Sequence, residues 1–159
     1  MIAGSISPLR VPMMEKENMD AQQIDNFLNR RSGILGISGL SSDFRDLEQA
    51  ANNGDERSQL AIDIFAYKVR KYIGGYVAAM GGVDAIVFTA GLGENSPFMR
   101  EKICNGLEFL GTRIDPELNK IRGKAREISV KRARTKIFVV PTNEELVIAR
   151  DTKRICKDL

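Results

Sequence analysis

Histidine and tryptophan are both absent from this chain of 159 residues, and cysteine occurs only twice. Without histidine the chain cannot contain a serine-type or cysteine-type catalytic triad, a zinc site with imidazole ligands, or an imidazole general base. Cys104 and Cys156 lie far apart and in no metal-ligand spacing, so we expect two reduced thiols and a cytoplasmic protein. Acid, base or metal chemistry is therefore left to carboxylates, Lys, Arg and backbone groups.

Neither sign of charge dominates the sequence. The 24 Lys and Arg residues against 21 Asp and Glu give a formal charge of +3, too small an excess to predict nucleic-acid binding, although its sign suits an anionic small ligand. With 43% hydrophobic and 28% charged residues, we expect a single soluble domain over residues 1–159. The apolar stretch Tyr72–Gly93 contains six glycines and Asp84, which predicts two elements joined at Gly81-Gly82 instead of a membrane span.

The first half of the chain is predicted to be helical. Leu9–Asn18 forms a short helix, and Asp20 begins another with a capping box, while Gly33 lies past its end. After a glycine-containing connector at Ile34–Leu40, Ser42 is expected to cap a helix over Asp43–Asn53. Asp55 caps the longest helix, which runs to Met80. Its predicted core-facing stripe consists of Leu60, Ile64, Phe65, Val69, Tyr72, Ile73 and Val77.

Strands enter in the second half. Residues 85–89 are a continuous apolar run, which predicts a strand buried on both faces, followed by a tight glycine loop. Pro97 begins a helix reaching about Leu107, and Asp115-Pro116 begins another. Two further strands are expected over residues 128–130 and 136–140, and Asn143 caps a final helix over residues 144–157. This order predicts an α/β fold with ligand segments at the carboxyl ends of strands.

The first candidate site is the glycine segment Gly91–Asn95, between a predicted strand and the helix at Pro97. Glycines let backbone amides approach a ligand closely, and a helix start offers unpaired amides to an anion, which favours a nucleotide or phosphate. The segment is neither a Walker loop nor a dinucleotide fingerprint, because no Gly-Lys-Ser/Thr follows and Ser96 stands in place of the third glycine. The alternative is a plain strand-to-helix turn that requires positive φ at Gly91 or Gly93.

Two other candidate sites lie at predicted helix starts. Glu144 follows the last strand and suits a magnesium ligand that works through waters beside phosphates, although an acid there also complements the helix dipole. Asp43 and Arg45 are close in sequence, and the arginine can hold a phosphate or stack on adenine, or the two can form a solvated pair. The basic residues of 120–136, eight against Glu127 alone, have no interleaved aromatics and are interpreted as solvated surface.

Three segments together resemble the acetate kinases: GILGISGLSSDFRDL at Gly33–Leu47, GGVDAIVFTAGLGENSPFMR at Gly81–Arg100, and FVVPTNEELVIARDT at Phe138–Thr152. The similarity runs from about Gly4 to the end and looks like the C-terminal domain of such an enzyme. The resemblance implies an actin-like, ribonuclease-H-like ATPase fold of the superfamily of sugar kinases and heat-shock ATPases. It also implies reversible, Mg²⁺-dependent transfer of the ATP phosphoryl group to acetate, giving acetyl phosphate and ADP.

The resemblance also assigns roles to residues. It places the nucleotide at Asp43, Phe44 and Arg45, the adenosine-side segment at Gly91, Leu92, Gly93, Glu94 and Asn95, and the magnesium-linked carboxylate at Glu144. It further implies a homodimer. The small charge excess and the glycine-interrupted apolar stretch predict no nucleic-acid and no membrane partner.

The chain also departs from the family pattern. The family's segment matching Ile2–Pro8 carries a catalytic arginine and two aspartates, whereas here Ile2, Ser5 and Ser7 stand at those positions. The family's catalytic histidine and acetate pocket belong to an N-terminal domain that this chain is expected to lack, so no catalytic residue is assigned here. We expect either a kinase domain that is inactive without that half, or a stand-alone nucleotide-binding or dimerisation module. A domain of a propionate or butyrate kinase is also open.

Overall fold

The computed structural model describes residues 10–157. Within this range five helices precede the first strand, two lie between it and the other two strands, and one follows, which agrees with the predicted α/β class. Eight α-helices and three strands are present in this part of the chain, together with single 3₁₀ turns at Glu108–Leu110 and Leu118–Lys120. In chain order they are α1 (Arg10–Glu17), α2 (Ala21–Arg30), α3 (Gly33–Ser38), α4 (Phe44–Asn52), α5 (Glu56–Met80), β1 (Ala85–Phe88), α6 (Ala90–Asn95), α7 (Pro97–Cys104), β2 (Arg126–Glu127), β3 (Lys136–Val139) and α8 (Glu144–Lys157).

The chain divides into two compact units, residues 1–65 and 66–159, and the boundary falls inside α5. The expected single domain over residues 1–159 stays a prediction. The sequence of Met1–Pro8 predicts an irregular segment, and this segment lies outside the described residues. None of the helices within residues 10–157 has the length and apolar character needed to cross a membrane. The stretch Tyr72–Gly93 is indeed interrupted, because α5 ends at Met80 and β1 begins at Ala85.

Helix caps organise the first unit. The Asp20 capping box is confirmed, since Asp20 Oδ1 accepts from Gln23 N at 2.8 Å and Gln23 Oε1 from Asp20 N at 2.9 Å. Asp55 also caps α5 as predicted, accepting from Ser58 N at 2.8 Å. The predicted cap at Ser42 is wrong by one residue, because Asp43 accepts from Arg45 N and caps α4. A carboxylate at this position can also pair with the arginine, which a serine hydroxyl cannot.

The predicted connector over Ile34–Leu40 is wrong, because the segment forms the short helix α3. Its glycines allow the helix instead of breaking it. Gly39 adopts the left-handed conformation that ends α3, and a Cβ at Gly36 would lie 3.2 Å from the Arg31 carbonyl oxygen.

The predicted stripe on α5 is wrong in part, since Leu60 and Tyr72 are about half exposed, at 52% and 49%. The buried face is instead made of small and medium residues at helical spacing: Ser58, Ala61, Ile62 and Ala66. Small side chains allow neighbouring backbone to approach closely, so size and not hydrophobicity alone decides which face of α5 is buried.

The second unit is built on a three-stranded sheet in the order β1-β3-β2. β1 and β3 are parallel, with Ala85 opposite Lys136 and Phe88 opposite Val139, whereas β2 is antiparallel to β3. The strand predicted over residues 128–130 is shifted to Arg126–Glu127, and residues 114 and 129 form only an isolated bridge. Both long strands therefore occur where the apolar runs predicted them.

β1 is buried on one face only, which corrects the expectation of a strand buried on both. Ile86 and Phe88 are buried, while Val87 is 54% exposed. β1 is an edge strand that pairs only with β3, and no described part of the second unit covers its Val87 face. The core on the buried side consists of Ile86, Phe88, Met99, Ile103, Leu107, Leu110, Ile128, Ile137 and Val139.

The helix expected at Asp115-Pro116 is reduced to one 3₁₀ turn. Asp115 Oδ1 does accept from the amides of Glu117 and Leu118 at 2.9 and 3.1 Å, as a cap should. Beyond this turn Ile121 has an extended backbone, and the carbonyls of Asn119 and Ile121 accept from the Arg100 guanidinium. The helix beginning at Pro97 starts as predicted but ends at Cys104, three residues before Leu107.

Candidate functional site

The carboxyl ends of β1 and β3 lie side by side, as parallel pairing of Phe88 with Val139 requires. Val140 N donates to the Phe88 carbonyl at 2.9 Å, which extends the pairing one residue past β3. The two segments that carry the candidate residues, 89–95 and 140–144, therefore leave the sheet at the same edge. This arrangement is the one in which α/β proteins bind ligands beyond the strand ends.

A carboxylate joins these two segments. Glu94 Oε1 accepts from Thr142 N at 2.8 Å and from Thr142 Oγ1 at 2.6 Å. The hydroxyl and amide of Thr142 lower the pKa of Glu94 from its ordinary value of 4.5, so the group is ionised at neutral pH. Glu94 was expected beside adenosine, and its observed contact is with the end of the neighbouring strand.

The glycine segment forms the six-residue helix α6, not the tight loop that the sequence predicts. The alternative of a turn with positive φ at Gly91 or Gly93 is also wrong, because the left-handed residue is Ala90, with φ 60°. The left-handed conformation of Ala90 stands at the start of α6, and both glycines that follow are helical.

The two glycines of α6 differ in their surroundings. A Cβ at Gly93 would lie 3.3 Å from the Phe88 carbonyl carbon, so packing of α6 against β1 accounts for this glycine. A Cβ at Gly91 would have no atom within 4 Å. Since glycine weakens a helix relative to alanine, the described structure contains no packing reason for Gly91.

Asn95 lies at the end of α6 and is exposed, and its Nδ2 donates to the Gly91 carbonyl at 3.0 Å. Leu92 is half-buried beside it. The amide oxygen and one N–H of the Asn95 side chain are thus left for other partners at the surface of the strand edge.

Glu144 is the first residue of α8 and is exposed. The predicted cap is confirmed, because Asn143 Oδ1 accepts from Leu146 N at 2.9 Å. Residues 10–157 contain no group of three or more Cys, Asp or Glu side chains able to hold a metal ion. A lone exposed carboxylate fits Mg²⁺ only in the water-mediated, phosphate-shared manner that this cation prefers.

In the first unit, Asp43 and Arg45 form a two-point ion pair. Arg45 Nε lies 3.1 Å from Asp43 Oδ1, and one Nη lies 2.5 Å from Oδ2. The guanidinium lowers the pKa of Asp43 to about 2, while the Arg45 side chain remains 90% exposed. The Phe44 ring packs edge-to-face on Phe65, with centroids 4.7 Å apart. The predicted closeness of Asp43 and Arg45 is confirmed, and their ligand role stays a prediction.

The sequence reasoning missed Arg100 and Thr142. Arg100 is fully buried in α7. No local signal marks its burial, because Arg100, Glu101 and Lys102 are three consecutive charged residues. Thr142 also carries no local signal, because its partner Glu94 is remote in sequence.

A cavity of about 710 Å³ in the second unit involves none of the candidate residues. Its walls include Cys104, Thr112 and the arginines Arg113, Arg132 and Arg134. Thr112 and Thr135 pair just before β3 begins, which places these walls toward the amino end of that strand. The candidate segments leave from the opposite end.

The fold is that of an α/β protein whose candidate ligand residues lie at the carboxyl edge of a pair of parallel strands. The chain belongs to the acetokinase family, whose model matches residues 2–150.

Curated relatives are acetate kinases from bacteria and archaea. The acetate kinase of Heliobacterium modesticaldum is 59% identical over 155 residues, which are 97% of this chain and 39% of that protein. The acetate kinase of Methanosarcina acetivorans is 56% identical over 155 residues, covering 97% of this chain and 38% of that protein. The chain thus spans about two-fifths of the length of the curated relatives it matches.

Solved structures agree with this family. The acetate kinase of Porphyromonas gingivalis superposes with a TM-score of 0.83 at 46% identity, over 92% of this chain and 37% of that one. A propionate kinase of Francisella tularensis superposes with a TM-score of 0.79 at 37% identity, over 89% and 36%. The predicted fold class, the actin-like, ribonuclease-H-like α/β fold of the acetate kinases, is confirmed.

Proposed function

We propose that this chain supplies the nucleotide-binding part of an acetate kinase, which transfers a phosphoryl group reversibly between ATP and acetate in the presence of Mg²⁺. Family membership and the identity of 59% to a curated acetate kinase support the reaction class. The activity of the relatives belongs to proteins of more than twice this length. This chain is therefore proposed to bind nucleotide without turning it over alone.

Gly91 is the observation on which this proposal rests. It lies in a helix at the carboxyl edge of the sheet, where alanine would be more stable and would meet no protein atom. A glycine without a packing role is explained if a ligand occupies the open space and needs the backbone within contact distance. The exposed Asn95 beside it offers the polar groups of an amide.

The resemblance distributes the remaining roles. By this resemblance Gly91–Asn95 would contact adenosine, and Asp43, Phe44 and Arg45 are assigned to nucleotide binding. Glu144 would hold Mg²⁺ through water, and the cation would neutralise phosphate charge when bound. Positioning and charge neutralisation are what phosphoryl transfer asks of a protein, and no catalytic residue is proposed in this chain.

A propionate or butyrate kinase domain is the second candidate, favoured by the superposition on a propionate kinase with a TM-score of 0.79. No residue of this chain is assigned to an acyl pocket, so the two candidates share the same nucleotide residues. The non-catalytic alternative is a stand-alone module that binds nucleotide or associates with itself. The homodimer is proposed in either case, and sedimentation velocity would measure it directly.

Calorimetric titration with ADP and ATP, each with and without Mg²⁺, tests nucleotide binding. The decisive variant is Gly91→Ala. We expect its free energy of unfolding to equal that of wild type or to exceed it by up to about 1 kcal/mol, while its affinity for ADP falls. Gly75→Ala is the matched control, because Gly75 lies in α5 and a Cβ there also meets nothing within 4 Å. It should gain stability with no change in affinity.

Arg45→Ala and Asn95→Ala extend the test to the other candidate residues, and both should weaken binding. Absence of saturable binding by the wild-type chain up to millimolar nucleotide would contradict the proposal. Equal ADP affinity of wild type and Gly91→Ala would remove its main support. Acetyl phosphate formation by this chain alone, trapped with hydroxylamine, would show that the catalytic groups are not confined to the longer relatives' additional sequence.

A further inference from the structure

Arg100 is a charged residue with no exposed surface. It lies in α7, between the core residues Met99 and Ile103. Burial lowers the pKa of Arg100, yet an arginine side chain stays protonated in proteins, so a full positive charge is kept away from water. Such a charge is tolerated only when its hydrogen-bonding capacity is satisfied.

Every N–H direction of this guanidinium is used. Nε donates to Asn119 Oδ1 at 2.8 Å, one Nη to the carbonyls of Gly93 and Glu94 at 2.8 and 3.0 Å, and the other Nη to the carbonyls of Asn119 and Ile121 at 2.6 and 2.8 Å. All five acceptors are carbonyl or amide oxygens, and none is a carboxylate. Among these contacts the cation is therefore stabilised by the dipoles of four backbone carbonyls and one side-chain amide.

The contacts join α6 to the 3₁₀ turn at Leu118–Lys120. Two carbonyls of α6 accept from Arg100, and Gly123 N donates to the Glu94 carbonyl at 3.3 Å. Asn119 Nδ2 donates in turn to the Pro97 carbonyl at 2.9 Å, which fixes the junction of α6 with α7. Glu94 holds the other side of α6 through its side-chain contact with Thr142.

We propose that Arg100 is a positioning residue for nucleotide binding, which holds α6 by the Gly93 and Glu94 carbonyls so that Gly91 and Asn95 present their backbone and amide to the ligand. The inference rests on the proposed nucleotide function. Arg100 has no exposed surface of its own and acts on the ligand only through α6. A segment held in its binding conformation before the ligand arrives binds more tightly than one that must be ordered.

Three variants of the whole chain test this role. Arg100→Met removes the charge and all five hydrogen bonds, and Arg100→Lys keeps the charge but not the planar fork. Ile103→Ala is the matched control, because Ile103 is buried on the same helix, 5% exposed, and its truncation costs stability without touching a carbonyl of α6. Where Arg100→Met does not fold, Asn119→Ala takes its place, since it removes the Nε acceptor and the Pro97 contact.

ADP affinity is measured by calorimetry at a temperature at which each variant is folded, alongside the free energy of unfolding. We expect Arg100→Met to bind ADP at least about tenfold more weakly and Arg100→Lys to lie between it and wild type. Ile103→Ala, although destabilised, should keep its affinity within about twofold. If Arg100→Met loses stability but keeps wild-type ADP affinity, Arg100 is merely structural and the proposal is wrong.

Amide hydrogen exchange without nucleotide provides a readout that does not depend on binding. Arg100→Met, or Asn119→Ala in its place, should accelerate exchange in residues 91–96, whereas Ile103→Ala should not do so selectively. Unchanged exchange in this segment would overturn the positioning role. If wild type fails to bind ADP, the proposed function fails by itself, and the exchange result still decides whether Arg100 holds α6.

Discussion

At the scale of single residues, the contact between Glu94 and Thr142 is expected to depend on pH. Hydrogen bonds from Thr142 lower the pKa of Glu94 in the folded chain below its ordinary value of 4.5. A carboxylate with a lowered folded pKa contributes stability above its unfolded pKa, and this contribution is lost as pH falls through the folded value. Glu94→Gln should therefore be less stable than wild type at neutral pH, and the difference should shrink below about pH 4.5.

Urea unfolding of both proteins between pH 3 and pH 8 measures this difference. Other acids change charge in the same range, so the exposed Glu145→Gln is measured alongside as a matched control. A Glu94→Gln difference that is independent of pH would show that the ionised carboxylate does not hold Thr142 in solution.

Asp43 is expected to titrate near pH 2, because the Arg45 guanidinium and the Arg45 amide both hydrogen-bond its carboxylate. Arg45→Ala should raise the Asp43 pKa toward the ordinary value, since it removes the larger of these two causes. Carboxyl ¹³C chemical shifts followed from pH 1.5 to 6 report the midpoint directly. The same midpoint in both proteins would show that the ion pair is not formed in solution.

Residue roles that depend on neighbours in sequence were predictable. The caps at Asp20, Asp55 and Asn143 follow from short patterns, because capping hydrogen bonds span two or three residues. The contact of Glu94 with Thr142 was not predictable, because it spans 48 residues. The contacts of Arg100 with Asn119 and Ile121 were not predictable either, because they span 19 and 21 residues. Contacts of this kind are set by the fold and leave no local pattern.

At the scale of elements, the apolar runs predicted β1 and β3 correctly, whereas glycine was misleading. α3 and α6 were both expected to be irregular because each contains two glycines. In both, the glycine serves close packing or lies in open space, and the helix forms because its carbonyls and amides still find partners. Propensity is a weak guide where tertiary contacts decide. The predicted position of the segment after β1 is therefore confirmed, whereas its predicted backbone is wrong.

Ala90 is the strained position at the start of α6, with φ 60°. Alanine pays roughly 1–2 kcal/mol for the left-handed conformation, which glycine adopts freely. Ala90→Gly should therefore raise the free energy of unfolding, by about 1 kcal/mol after the greater flexibility of the unfolded chain is counted. Thermal and urea unfolding provide the measurement.

The control for this substitution is Ala78→Gly in α5, where the same change removes a good helix former. It should lower the free energy of unfolding by up to about 1 kcal/mol. If Ala90→Gly is destabilising to the same extent as Ala78→Gly, then Ala90 does not occupy the left-handed region in solution.

At the scale of the whole molecule, the two thiols report on folding from different places. Cys104 is buried in the second unit, where burial raises its pKa to about 12, while Cys156 is exposed on α8. One thiol per chain should react rapidly with a disulfide reagent at pH 8, and the second only as fast as the protein opens. Cys156→Ser should abolish the fast phase and Cys104→Ser the slow one. Two fast thiols in the wild type would contradict the packing around α7.

The pairing of β1 with β3 has a consequence for the order of synthesis. β1 and β3 are neighbouring strands of one sheet, but residues 89–135 lie between them in the sequence. β1 therefore leaves the ribosome well before β3 has been synthesised. α6 needs β3 as well, because Glu94 is tied to the residues that follow that strand. Until β3 has been synthesised, the nascent chain exposes the apolar residues of β1. Binding of a chaperone in that interval would protect the chain from aggregation.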